Sequence, residues 1–257
     1  LQPFEILRLA QELGLTAGYA TAFIAVGLRL GLVLLLMPGL GDILVPVRTR
    51  VDFVMVLTLA LMPAVGAYEV ETPLALFTLL IGEAMIGFVL GIGVKLLATA
   101  LQMAGTLIAH ALSLNQIFGV AQEAENINLL GSLLGYAGGL LFLATGLPIE
   151  MFAALAASVS AMPLGSGVMA EPGELLDFGL RITAESFRLG AALAVPFLIM
   201  NTAFYFILGV INRAMPQLMV TFIGLPGLTL LGLILLSLMI GPILIAWMSA
   251  VGGALPQ

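Results

Sequence analysis

Residues 73 to 109 form an almost unbroken apolar run of about 37 residues, and this run limits the possible folds more than any other feature of the chain. As one helix it would measure about 55 Å, nearly twice the roughly 30 Å hydrocarbon core of a bilayer. It is therefore expected to bend or to extend beyond the bilayer. A second oversized run, 127 to 162, carries Gly131, Gly135 and Gly139 at four-residue spacing, a ridge on which another helix can approach closely, and Pro148 is expected to break it. Hydrophobic residues make up 61% of the chain and charged residues 9%, against about 25% charged in soluble domains, which excludes a soluble class. Lipid leaves free backbone groups unsatisfied, and the runs far exceed the ten-residue alternating segments of a barrel, so helices are the spanning element. The predicted fold is all-α: a polytopic integral membrane protein of packed helical hairpins with broken, overlong apolar helices and about six spans.

Between the two runs lies a polar interruption, residues 110 to 126 (HALSLNQIFGVAQEAEN). It holds the only histidine, His110, yet also an apolar knob, Ile117-Phe118, beside Gly119. A loop that merely connected two helices could be uniformly polar, so these two side chains need something to fill. One reading is a hydrophobic anchor that pins the loop to its own helices.

The remaining segments follow in order. Residues 3 to 15 read as an interfacial amphipathic helix, because Glu5, Arg8 and Glu12 fall at i, i+3 and i+7. A span at 17 to 40 carries Arg29 in its middle and Gly27 and Gly31 at GxxxG spacing, and stops at Met37-Pro38-Gly39. A charge there costs about 2.5 to 3.5 kcal/mol, so Arg29 must face protein or water. A loop over 41 to 52 and a short span over 53 to 68, interrupted by Pro63, come next. Glu83 and Lys95 lie twelve residues apart in the long run, about 120° around a helix and 18 Å along it, and cannot pair on one straight helix. Residues 171 to 188 read as a solvated helix face, with Arg181, Glu185 and Arg188 at pairing distances. Apolar residues 189 to 211 contain Pro196 and Asn201, and the last span, 218 to 250, is divided by Pro226-Gly227 and Gly241-Pro242. Basic residues alternate between the two sides, so the positive-inside rule is tied, which suggests apolar surface buried against other subunits.

Chemistry is sparse. The net charge of −6 has no basic cluster, which argues against nucleic acid, and cysteine is absent, which removes thiol chemistry. One histidine cannot make a two-histidine zinc site, and nothing orients His110 toward Ser166 for a nucleophilic dyad. No catalytic residue, metal or cofactor is expected. The N-terminal residues lack the basic region of a signal peptide. Arg29, Glu83 and Lys95, with proline-broken helices, leave open a secondary transporter; the alternative is that these charges pair with another helix or subunit.

At 208 to 230 the chain reads LGVINRAMPQLMVTFIGLPGLTL, which resembles the FliR family of the flagellar type III export apparatus through Asn212, Arg213, Pro216, Gln217, Leu218, Gly224 and Pro226. The series Pro38, Pro46, Arg48 (or Arg50), Pro63 and the turn Met162-Pro163-Leu164-Gly165 extend the likeness along the chain; an injectisome relative is the nearest alternative. The resemblance implies a non-enzymatic subunit of the inner-membrane export gate of the basal body, a hetero-oligomer with FliP, FliQ and FlhB that passes unfolded flagellar proteins. It further implies a FliP-like part over 1–170 and a FliQ-like hairpin over 171–257. Under that resemblance 110–126 is the gate's plug, in which Ile117 and Phe118 exclude water and ions and Gly119 is the joint. Asn212, Arg213, Pro216, Gln217, Gly224, Pro226 and the ridge Gly131, Gly135, Gly139 become subunit-packing residues. Arg29, Glu83 and Lys95 become buried charges whose mates lie outside this chain.

Overall fold

A computed structural model of the chain describes residues 17–41, 45–114, 129–165, 172–215 and 220–254. Among them the regular elements are seven α-helices: α1 (Ala17–Leu36), α2 (Val47–Val65), α3 (Pro73–Ala111), α4 (Leu129–Ala144), α5 (Leu147–Ala161), α6 (Pro172–Ala214) and α7 (Val220–Ala254). Four are long and apolar enough to cross a membrane, and a fifth crossing results if α4 and α5 are counted as one broken span. The chain is an all-α integral membrane protein.

The helices are longer than the sequence segmentation allows. Residues 73 to 109 belong to one helix of 39 residues, about 58 Å of continuous α3. The segments 171–188 and 189–211 fuse into α6, 43 residues that pass through Pro196, and α7 continues through both Pro226 and Pro242. A proline removes one backbone bond per site, and the surrounding turns of a long apolar helix continue past it because lipid offers the backbone no other partner. Pro148 does not break the second run. That break falls at Thr145-Gly146, and Pro148 occupies the first turn of α5, where its missing N–H has no helical acceptor to lose. The second half of the expected loop at 41 to 52 is likewise helix, since α2 starts directly after Pro46 and takes in Arg48, Arg50 and Asp52. Pro63 sits in its last turn, three residues before Gly66 ends it at φ 73°. The amphipathic segment 3 to 15 lies outside the described residues.

Two compact units emerge, one of residues 1–95, 145–180 and 255–257, the other of 96–144 and 181–254. The first is built on α1, whose Ala22, Ala25, Val26, Leu30, Val33 and Leu34 are buried. Gly27 and Gly31 turn toward Thr58 and Val54 of α2, while Gly87 and Gly91 of α3 lie directly on the backbone and side chains of Arg29, Val33 and Leu36. Phe53 and Phe152 rings, centroids 5.4 Å apart, join α2 to α5. In the second unit the last four turns of α3 bury Leu97, Leu101, Ala104 and Ile108. There α4 crosses α3 backbone to backbone at Gly105 and Gly131, and Trp247 of α7, 1% exposed, packs beside Gly138 and donates its indole N–H to the Leu97 carbonyl at 2.9 Å.

Candidate functional site: a buried arginine junction

Arg29 stands in the middle of α1 and is completely buried. Its guanidinium reaches three acceptors: Nε donates to Glu83 Oε2 at 2.6 Å, Nη1 to the Ser158 carbonyl at 3.1 Å and Nη2 to the Met162 carbonyl at 2.9 Å. The approach depends on Gly87, because a Cβ there would stand 2.5 Å from the Arg29 carbonyl oxygen; one turn before it, α3 delivers Glu83, itself 2% exposed. The other two acceptors close the C-terminus of α5, where the last carbonyls carry partial negative charge. Ser158 O already accepts from the Met162 N–H at 2.8 Å, and its hydroxyl returns to the Leu155 carbonyl at 2.7 Å. A carboxylate and a helix terminus together satisfy the charge, and the planar fork of an arginine points in three directions at once, which an ammonium on a single stem does not.

The junction fixes the turn that follows α5. Met162 is held through its carbonyl, and three residues later Gly165 takes φ 72° against the Tyr68 hydroxyl. Tyr68 is tied back in turn, its N–H donating to the Gly18 carbonyl at 3.1 Å. The Met162-Pro163-Leu164-Gly165 turn therefore lies between two fixed points of one unit. The arrangement offers no nucleophile and no open metal position; what it supplies is position.

These contacts correct one expectation. Arg29 and Glu83 are each other's mates within this chain, 54 residues apart, rather than charges awaiting a partner subunit. Lys95 is partly buried further along α3. The glycine ridge is used, again inside the chain: Gly131 touches Gly105, Gly135 lies under the side chain of Gln102, and Gly139 is buried in α4. Gly224 meets Leu208 and so holds α6 and α7 together as a hairpin. Asn212 and Arg213 are exposed at the end of α6, Arg213 in the last turn where a cation suits the helix terminus, and Pro226 is exposed on α7. Ile117, Phe118, Gly119, Pro216 and Gln217 lie outside the described residues.

One anchor was missed in the sequence. After α3 ends, Ser113 takes φ 56° and Leu112, fully buried against Gly232, presents its carbonyl to the Thr229 hydroxyl at 3.1 Å. A threonine among the apolar residues of α7 was its only signal.

A family model described as bacterial export proteins, family 1, matches residues 20–253. Similar proteins include the flagellar biosynthetic protein FliR of Caulobacter vibrioides, 30% identical over 239 residues that cover 89% of this chain and 94% of that protein. The FliR of Aquifex aeolicus is 30% identical over 78% of each chain, and that of Escherichia coli K12 is 26% identical over 78% of this chain and 77% of its own.

Proposed function

This chain belongs to the bacterial export proteins, family 1, and on that footing we propose that it is a flagellar biosynthetic protein, the FliR-type subunit of the type III export gate. The observation that carries the reading is the likeness to the Caulobacter protein along 94% of that protein's length. It forms a hetero-oligomer with FliP and FliQ, joined by FlhB, in the inner membrane at the flagellar basal body, and unfolded flagellar proteins pass through the assembly. Residues 1–170 take a FliP-like role and 171–257 a FliQ-like one. Ile117 and Phe118, with Gly119 as joint, form the plug, and Asn212, Arg213, Pro216, Gln217 and Pro226 make contacts in the assembly. No cofactor or catalytic step is part of the reading.

Two features support an assembled state. Only 11% of the apolar window of α6 is covered within the chain, against 39% for α1, so α6 offers the most surface to neighbours. The same helix carries Asn201 Oδ1, a buried oxygen without a hydrogen-bond partner among the described residues. A transporter reading is weakened because two of its three nominated charges, Arg29 and Glu83, are engaged with one another. The three relatives are flagellar proteins, which favours a flagellar over an injectisome role.

Co-expression with FliP and FliQ tests the proposal: recovery as one stoichiometric complex is expected, and a stable monomer that moves a solute into vesicles overturns it. Within the assembled gate, Ile117→Ala with Phe118→Ala raises ion leakage, and an unchanged conductance rejects the plug.

A further inference from the structure

The second half of α3 divides its residues by chemistry as well as by burial. Thr99, Gln102, Thr106 and His110 fall within an arc of about 80° and run about 16 Å along the axis. The buried Leu97, Leu101, Ala104 and Ile108 occupy the opposite side. Neighbouring helices of the same unit account for the other sides of α3. Gly105 touches Gly131 of α4 and Leu101 lies near Gly138 of α4; Leu97 receives the Trp247 N–H of α7; Ala100 and Met103 meet Gly190 of α6. The sector left between α4 and α6 holds the polar row, with Gln102 at its α4 border over Gly135. Gln102 and His110 are exposed, Thr99 and Thr106 partly so.

Four polar residues gathered on a sector of α3 that none of these described contacts covers do not suit lipid, since polar groups within a span face protein or water. Both threonines already donate into their own helix, Thr99 to the Leu96 carbonyl at 2.7 Å and Thr106 to the Gln102 carbonyl at 2.9 Å. They therefore present hydroxyl lone pairs outward and need no donor-accepting partner. Residues 96 to 110 carry no Asp, Glu, Lys or Arg, and the single charge in the same arc is Lys95, one turn before Thr99 at the end of the row. A wetted wall that must let unlike sequences slide along it has these properties.

We infer that the row Thr99, Gln102, Thr106 and His110 faces water, as part of the wall of the export conduit, with the backbone of a passing unfolded chain as its transient contact. The inference rests on the gate reading above. The native chain has no cysteine, which makes the test direct. Each of Thr99→Cys, Gln102→Cys, Thr106→Cys and His110→Cys is built into the full gate, with Phe206→Cys, 74% exposed on the apolar face of α6, as the contrast. Assembly with FliP and FliQ is read on a native gel, and each thiol is exposed to a membrane-impermeant maleimide from both sides of the membrane.

Row positions should react roughly tenfold faster than Phe206→Cys, because a thiol must reach water to ionise and attack. A substrate stalled in the gate should suppress that labelling. Assembled gates in which no row position reacts from either side overturn the inference and leave the gate reading standing, as does labelling by a membrane-permeant reagent only. Failure of the unsubstituted chain to assemble removes the gate reading, and the inference falls with it. Should Gln102→Cys or His110→Cys disturb assembly, Thr106→Cys, which exchanges oxygen for sulfur and removes one methyl, carries the comparison.

Discussion

The two units of this chain hold helices together by different means. In the first, a charge is surrounded: Arg29 meets Glu83 and the end of α5, and every acceptor has a direction. In the second, nothing charged is needed, and Gly105 against Gly131 lets two backbones touch while Trp247 supplies one indole bond to Leu97. Between lipid-solvated helices the hydrophobic effect does not choose partners, so either close packing or polar contacts must do so. The difference teaches where each unit is vulnerable. A directed ionic junction suffers from losing an atom set, and a backbone crossing suffers from gaining one.

The largest effect tests the first half of that statement. Arg29→Ala leaves Glu83 buried without a counter-charge and should cost about 3–5 kcal/mol, seen as a large fall in the thermal midpoint of the gate in detergent. The paired change Arg29→Met with Glu83→Leu should recover most of that loss; failure to recover would mean that the α5 carbonyls, not the carboxylate, dominate. Gly105→Val comes next, at about 1–3 kcal/mol, because a Cβ there would stand 2.7 Å from the Gly131 Cα and backbone must move. Equal stability of this variant would break the comparison outright. Trp247→Phe removes one hydrogen bond while keeping most of the ring, a loss of about 0.5–1.5 kcal/mol by the same midpoint. The smallest effect has the opposite sign: Gly209→Ala meets no atom within 4 Å and should gain about 0.5–1 kcal/mol, sharpening the contrast between open and crossing glycines.

Much of the architecture was legible because lipid leaves the backbone few choices. Composition fixed the class, and Arg29 was rightly kept from lipid by the cost of its charge. Helix limits were harder to read, since Pro196, Pro226 and Pro242 look like stops in a sequence and are passed through in long apolar helices. The Arg29–Glu83 pair was invisible for another reason: Glu83 was weighed against Lys95 on its own helix, whereas its mate lies 54 residues upstream. Pairing at that range depends on Gly87, a residue with no chemistry to draw attention. The ridge Gly131, Gly135, Gly139 was visible by spacing, but its occupant was not, because periodicity marks a face without saying which helix will cover it. The row on α3 was readable in principle, since residues 99, 102, 106 and 110 repeat at helical spacing; attention to full charges passed over the neutral polar groups.

The Arg29 junction also sets a clock on biogenesis. The ribosome makes Arg29 54 residues before Glu83 and 133 before Met162. At about 5–20 residues per second, the arginine waits roughly 3–11 s for its carboxylate and roughly 7–27 s for the last of its carbonyls. Throughout that interval the first spanning helix carries a charge that the bilayer disfavours, so α1 is best kept beside the insertion machinery until α5 has been made. A chain truncated before residue 162 would leave the arginine short of an acceptor, and quality-control proteases that survey half-finished membrane proteins would meet it in that state.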